Sequence, residues 1–338
     1  MKEWNENKLD QELEALLNEM PEQDEFEKRI EKYINRRIRK IVHKTLSGIL
    51  VMVLVLLGII NPFLNLCCLN PAKTNEEDVS IYYDVMRDYY ETTRPYAEIV
   101  HMEFQKKGFS RYEIDIMATN HMESFTYGRA LVNWEMMLGK VQKIQDPNGI
   151  LVDYMGRFDN SIHVMDENGN YVVERNPKES YIEQLEKLPE SSHVYVSLHT
   201  AEPQHIDTIR ENDISLEWIE VYQPNVKYQA GLSMHLVAAQ KETDAFRESM
   251  SEQELLDIYR SNLKNLVDHK LMWGQFELFN SYVIYQDVNL IDATYEDAKT
   301  LSELHTQNYC VYGTKAEVIS YLENTDIVSV RIDKVTLF

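Results

Sequence analysis

Cysteine and histidine are thinly spread in this chain, which has three cysteines and ten histidines in 338 residues. Cys67 and Cys68 are adjacent at the end of an apolar run, and Cys310 stands alone near the C-terminus. They form no disulfide framework, and none lies in a CxxC or Cys/His pattern spaced for zinc. His199 and His205, and His305 with Cys310, put ligand-like or nucleophile-like groups within a few positions of each other. No GxSxG, HExxH, P-loop or GxGxxG accompanies them, so they read as structural side chains. Asp166-x-Asn168-x-Asn170 has the first spacing of a calcium loop, but its glycine, Gly169, is misplaced and no Glu closes the twelve-residue frame. The carboxylates are too numerous for one pair to stand out as a glycosidase dyad. The tryptophans Trp4, Trp134, Trp218 and Trp273 read as core or interface residues. The expectation is a chain that is not an enzyme and holds no cofactor or metal.

The strongest signal is physical, not catalytic. Thr45 to Ile60 and on through Asn61-Pro62 to Leu69 contains no charged residue. About 20 apolar residues span a bilayer, and the Leu, Ile and Val of this run favour insertion by roughly 5 kcal/mol. The preceding segment is far longer than a signal peptide's n-region and no A-x-A-like site follows, so the run reads as an uncleaved anchor. Leu64-Asn65-Leu66 before Cys67 offers no small residue for lipoprotein processing. Lys28, Arg29, Lys32, Arg36, Arg37, Arg39, Lys40 and Lys44 crowd the N-terminal side, whereas Glu76, Glu77 and Asp78 follow on the other. The positive-inside rule places the N-terminus in the cytoplasm and the C-terminal remainder outside. Arg36, Arg37, Arg39, Lys40 and Lys44 are expected to touch anionic lipid headgroups.

Four segments follow: a cytoplasmic head over 1–44, a membrane helix over 45–69, a first extracytoplasmic part over 70–180 and a second over 181–338. In the head, Leu9, Leu13, Leu16, Leu17 and Met20 recur on one helical face, with Glu12, Glu14 and Glu19 opposite and Pro21 as the stop. Phe26, Ile30, Tyr33, Ile34, Ile38 and Ile41 carry a second helical stripe into the membrane helix. A segment this short cannot close its own core, so these stripes need a partner. Another protein's groove suits the acidic first helix better than an anionic membrane, with self-association the plain alternative.

The remainder reads as α+β or α/β around a mixed sheet, with strands and helices interleaved. A helix is expected around Val79–Tyr90, and a half-buried strand through Tyr112, Ile114, Ile116 and Ala118. Turn chemistry marks 146–149 and 166–170, the latter inside a hairpin of 161–165 with 171–173. Strands are expected at 193–199, 216–222, 232–239, 309–312 and 327–338, and capping boxes at Ser251–Glu254 and Thr314–Glu317 each start a helix. The net charge of -22 argues against a general nucleic-acid surface, which needs clustered cations.

Two stretches carry a family resemblance. Residues 36–73 combine a basic stretch, an apolar helix and an Asn-Pro exit; Leu188-Pro189-Glu190 entering a strand, Leu216–Tyr222, and Gly313-Thr314-Lys315 with its closing strand make the second. In order and layout the chain resembles membrane-bound anti-sigma factors of low-GC Gram-positive bacteria that carry the sigma factor regulator N-terminal and C-terminal domains, with residues 91–180 matching least. The resemblance implies that the head sequesters an extracytoplasmic-function sigma factor, that the outer part senses envelope stress, and that a second membrane regulator can take part. The zinc-binding His-x3-Cys-x2-Cys of another anti-sigma class is absent from residues 1–44. The competing readings are a membrane-anchored extracytoplasmic binding module without sigma-factor function, and a tethered cell-wall hydrolase.

Overall fold

A computed structural model describes residues 11, 14–15, 23–76, 78–95, 97–120, 129–145, 161–165, 171–175, 178–212, 214–226, 230–236, 247–279 and 290–337. Two compact units emerge, Met1–Cys67 and Cys68–Phe338.

The first unit is one long helical run. Helix α1 (Gln23–Val55) passes through a π-turn (Leu56–Ile60) into α2 (Asn61–Cys67). Pro62 has no N–H to give the ladder, and the wider turn just before it, closed by Asn61 N–H to Leu56 O, is the usual local accommodation. At 1.5 Å per residue the run extends roughly 65 Å, about twice a hydrocarbon core. The helix ends at Cys67, so Cys68 and Leu69, expected as its last residues, begin the second unit instead.

In the second unit, α3 (Ile81–Thr93) is capped by Ser80, whose hydroxyl accepts from Tyr83 N–H. Its sequence looks amphipathic, yet every residue from Tyr82 to Thr92 except Asp84 is buried. A four-stranded antiparallel meander follows in chain order: β1 (Ala97–Gly108), β2 (Arg111–Asn120), β3 (Arg129–Met137) and β4 (Lys140–Gln145). Strict alternation drives Tyr112, Ile114, Ile116 and Ala118 of β2 and Val132, Trp134 and Met136 of β3 into the core. On the opposite face Asn133 bonds Glu113 and Asp115, and Arg111 pairs with Glu135 at 3.0 Å.

Both tight hairpins of the meander have two-residue loops with positive φ. Gly108 pairs with Arg111 around Phe109 (φ 52) and Ser110 (φ 53), and Met137 pairs with Lys140 around Leu138 (φ 52) and Gly139 (φ 76). Such loops favour Asn and Gly, whereas Phe and Leu in left-handed conformation cost about 1–2 kcal/mol each. Leu138 N–H donates to Ser110 O at 2.9 Å and joins the two tips. Gly139 is favoured here for a second reason: a Cβ would lie a tight 3.1 Å from both the backbone N and the Cβ of Leu69.

Strands β5 (Ser161–Met165) and β6 (Tyr171–Arg175) form the expected hairpin, whose connecting 166–170 lies outside the described residues, as does the 146–149 turn. Helix α4 (Lys178–Glu186), β7 (Ser192–His205), α5 (Ile206–Arg210), β8 (Ser215–Val221) and β9 (Gly231–Ser233) come next. Helices α6 (Glu252–Asp268), α7 (Lys270–Phe279) and α8 (Ile291–Ala298) precede β10 (His305–Thr314), α9 (Lys315–Asn324) and β11 (Ile327–Leu337). Five of these strands build a second sheet, ordered β11-β7-β10-β8-β9. All strand pairs among the described residues are antiparallel, so the class is α+β and the expected mixed sheet is replaced by antiparallel ones. Of the expected strand at 232–239, β9 supplies only Gly231–Ser233, and 237–239 lie outside the described residues.

Both capping boxes form, at Ser251/Glu254 and Thr314/Glu317. The Ser251 side-chain and backbone donors hold the Glu254 carboxyl below its usual range, so the cap is complete at neutral pH and is lost on acidification through that lowered pKa.

Helix α3 ties the unit together. It contacts β1, β9, α6 and α7. Tyr89 stacks on Trp273 with centroids 5.4 Å apart, and Asn265 of α6 donates to Asp88 at 2.7 Å. The Glu91 carboxylate is paired with Arg247, which also donates to Ser233 O at 2.8 Å; both side chains are almost fully buried. Arg247→Met strands a buried carboxylate and should cost about 3–5 kcal/mol. The double variant Glu91→Leu/Arg247→Met should recover much of that loss, as read from urea denaturation of the full chain in detergent.

Candidate functional site

Two regions carry features beyond packing, and each belongs to a different unit. In the first unit, Ile30–Cys67 is the one helix among the described residues long and apolar enough to cross a membrane, and none of its most apolar window is buried. Val51, Leu54, Leu57 and Ile59 are all more than half exposed. Arg36, Arg37, Arg39 and Lys44 are exposed on α1, and Lys40 is half-exposed. Of the residues expected to bind a partner, Ile30 is half-buried on α1 and Phe26 lies on the same helix; Leu9, Leu13, Leu16, Leu17 and Met20 lie outside the described residues. Tyr33 of the second stripe is buried, whereas Ile34, Ile38 and Ile41 are exposed.

In the second unit the five-stranded sheet has two unlike faces. One is apolar: Val196, Leu198, Tyr309, Val311 and Val330 are buried there, and Tyr309 meets Tyr321 of α9 hydroxyl to hydroxyl at 2.8 Å. The other, in cross-strand rows, sets Ser197 beside Cys310 and Arg331, and His199 beside Asn308. Trp218 and Tyr195 stand on the same face and cluster with Cys310. The Trp218 indole N–H donates to Glu91 O at 2.9 Å and the Tyr195 hydroxyl to Pro95 O at 3.5 Å, tying this face to the end of α3. The Trp218 ring lies so close over β9 that a Cβ on Gly231 would come within 2.0 Å of it.

Several of the polar side chains on this face bond one another. The Asp333 carboxylate, 1% exposed, accepts from Ser197 Oγ at 2.5 Å and from Arg331 Nε at 2.6 Å. Asn308 donates to Glu220 at 2.6 Å, so its carbonyl oxygen is the acceptor for His199 Nδ1–H at 2.7 Å, which fixes that tautomer. Burial, and then the Asp333 charge, push the Cys310 thiol well above the ordinary thiol range. A protonated, fully buried sulfur is a poor nucleophile. The arrangement sets the Arg331 cation and the Ser197 hydroxyl against the buried Asp333 charge.

The remaining candidates separate. His205 and His305 face each other at the far end of the β7–β10 ladder, rings 5.2 Å apart, with His205 Nε2 3.1 Å from Glu252. Among the described residues no group of three or more His, Cys, Asp and Glu is placed to hold a metal ion. Leu188-Pro189-Glu190 and Gly313-Thr314-Lys315 do meet: Lys315 Nζ donates to Leu188 O at 3.0 Å and to Glu190 at 2.6 Å, which fastens the start of α9 to the entry of β7.

No protein-family model, curated protein or solved structure matches the chain. What it resembles therefore rests on the residues themselves. Sequence reading missed the Ser197–Asp333–Arg331 group, whose local signal was only the Arg331-x-Asp333 spacing on one strand face. It also missed the Glu91–Arg247 pair, which spans 156 positions.

Cys310 should resist maleimide labelling at pH 8 in the folded chain while exposed Cys67 reacts. Urea should release it, as measured by mass of the labelled peptides; comparable native rates would contradict the buried, protonated thiol.

Proposed function

We propose that this chain is a single-span membrane regulator, an anti-sigma factor whose head holds an extracytoplasmic-function sigma factor at the cytoplasmic surface. Its larger unit lies outside and senses the envelope. The observation that carries the reading is the bare apolar helix ending at Cys67, with cations crowded before it and carboxylates after it. The resemblance of its layout to that of the sigma factor regulator family adds to it.

The head fits its role by chemistry. A face carrying Leu9, Leu13, Leu16, Leu17 and Met20 gives a partner groove apolar anchors, continued by Phe26 and Ile30, and the acidic face behind it suits a DNA-binding protein's basic surface. Arg36, Arg37, Arg39, Lys40 and Lys44 hold the head at the anionic lipid surface. The chain itself makes no direct contact with nucleic acid and needs no cofactor, and the buried polar face of the outer unit serves architecture, not catalysis.

A peptide of residues 1–44 should bind the sigma factor encoded beside this chain, and Leu13→Asp should weaken it at least tenfold by calorimetry, because burying one Leu is worth about 1.5–3 kcal/mol. Equal affinities would remove the support for the head. If deleting residues 1–25 left the activity of the full protein intact, the anchored binding module would be the better reading.

A further inference from the structure

We propose that the paired tips of the four-stranded sheet, Phe109–Ser110 and Leu138–Gly139, are a lipid-docking surface that rests on the anionic membrane face where the anchor helix ends. The proposal rests on the membrane reading of Ile30–Cys67 and extends it to the folded unit.

Position comes first. Leu69 is two residues beyond Cys67, so at 3.8 Å per residue it lies within about 8 Å of the helix end however the unit is oriented. The second tip sits directly on Leu69, whose backbone N and Cβ would lie a tight 3.1 Å from a Cβ at position 139. The first tip is bonded to the second through Leu138 N–H and Ser110 O. Both tips are therefore held beside Leu69, just past the end of the helix in sequence, by contacts within the unit.

Their composition fits that place. Phe109, Met137 and Leu138 are 36%, 46% and 43% exposed, although an exposed two-residue turn ordinarily carries Asn, Asp or Gly. Phe109 and Leu138 also occupy left-handed backbone, so each is strained where its side chain is partly exposed. Strain retained at an exposed apolar side chain points to a contact made elsewhere. Around the tips stand Lys106, Lys107, Arg111, Lys140 and Lys143; Lys107 pairs with Glu113 at 2.7 Å and Arg111 with Glu135 at 3.0 Å, while Glu103 and Asp115 lie further along the strands, in a chain whose net charge is -22. Apolar side chains ringed by cations suit an interface of acyl chains and anionic headgroups.

The test uses the full chain with Cys67→Ser and Cys68→Ser, reconstituted in mixed phosphatidylglycerol and phosphatidylcholine vesicles. One environment-sensitive fluorophore is attached in turn at Phe109→Cys, Leu138→Cys, Leu54→Cys in the helix, and Lys264→Cys on α6. Lipids bearing a nitroxide at a shallow or a deep acyl position quench it. Labels at 109 and 138 should be quenched at least twofold by the shallow nitroxide, the label at 54 by the deep one, and the label at 264 by neither. If 109 and 138 behave like 264 while 54 is quenched, the docking surface is wrong and the anchor stands. If 54 is unquenched, the anchor reading fails and this proposal with it.

A label can itself favour lipid, so a second reading is taken from Met137→Cys with Phe109→Asn and Leu138→Asn. Asn suits both turns, so this variant should denature at a higher urea concentration and yet lose its shallow quenching. Retained quenching overturns the proposal. Equal quenching in phosphatidylcholine alone would overturn the choice of an anionic surface.

Discussion

A helix buried on nearly every side is the constraint on which the folded unit depends. Helix α3 brings Arg87, Asp88 and Glu91 into the interior along with four tyrosines. A buried charge without a partner costs several kcal/mol, so the rest of the unit has to meet these groups where they lie. Arg247 reaches Glu91, Asn265 reaches Asp88, and Trp218 takes the Glu91 carbonyl. Through these bonds the five-stranded sheet, α6 and the segment after β9 all take their places relative to one helix. Burial alone would have let them slide; polar pairing fixes the register.

The second sheet repeats the principle on a smaller scale. Its outer face could have been covered by apolar residues, yet Asp333 is buried there between Arg331 and Ser197, and Glu220 is linked through Asn308 to His199. Networks of this kind specify one arrangement of strands, because a shift of one residue would turn every member to the opposite face.

Local signals in the sequence were legible where local physics decides. Ser251 and Thr314 start α6 and α9 through their capping boxes, Tyr112 to Ala118 alternate along β2, and the apolar run is helical. The helix expected over Val79–Tyr90 begins at Ile81 because Ser80 takes the cap, and runs on to Thr93. Tertiary facts were hidden. Nothing local marks Asp88 and Glu91 for burial, since the partners that allow it are 177 and 156 positions away. The Ser197–Asp333 bond joins strands 136 positions apart and leaves no trace in either segment. Phe109 and Leu138 were unremarked because a left-handed backbone at a bulky residue has no sequence signature.

The π-turn at Leu56–Ile60 has a geometric corollary for anything that would lie alongside the long helix. One extra residue in the turn advances the rotation by roughly 100°, so side chains before and after it point along different meridians. A straight neighbouring helix in the bilayer can follow the stripe on one half of the rod or on the other. To follow both it would need a matching irregularity of its own.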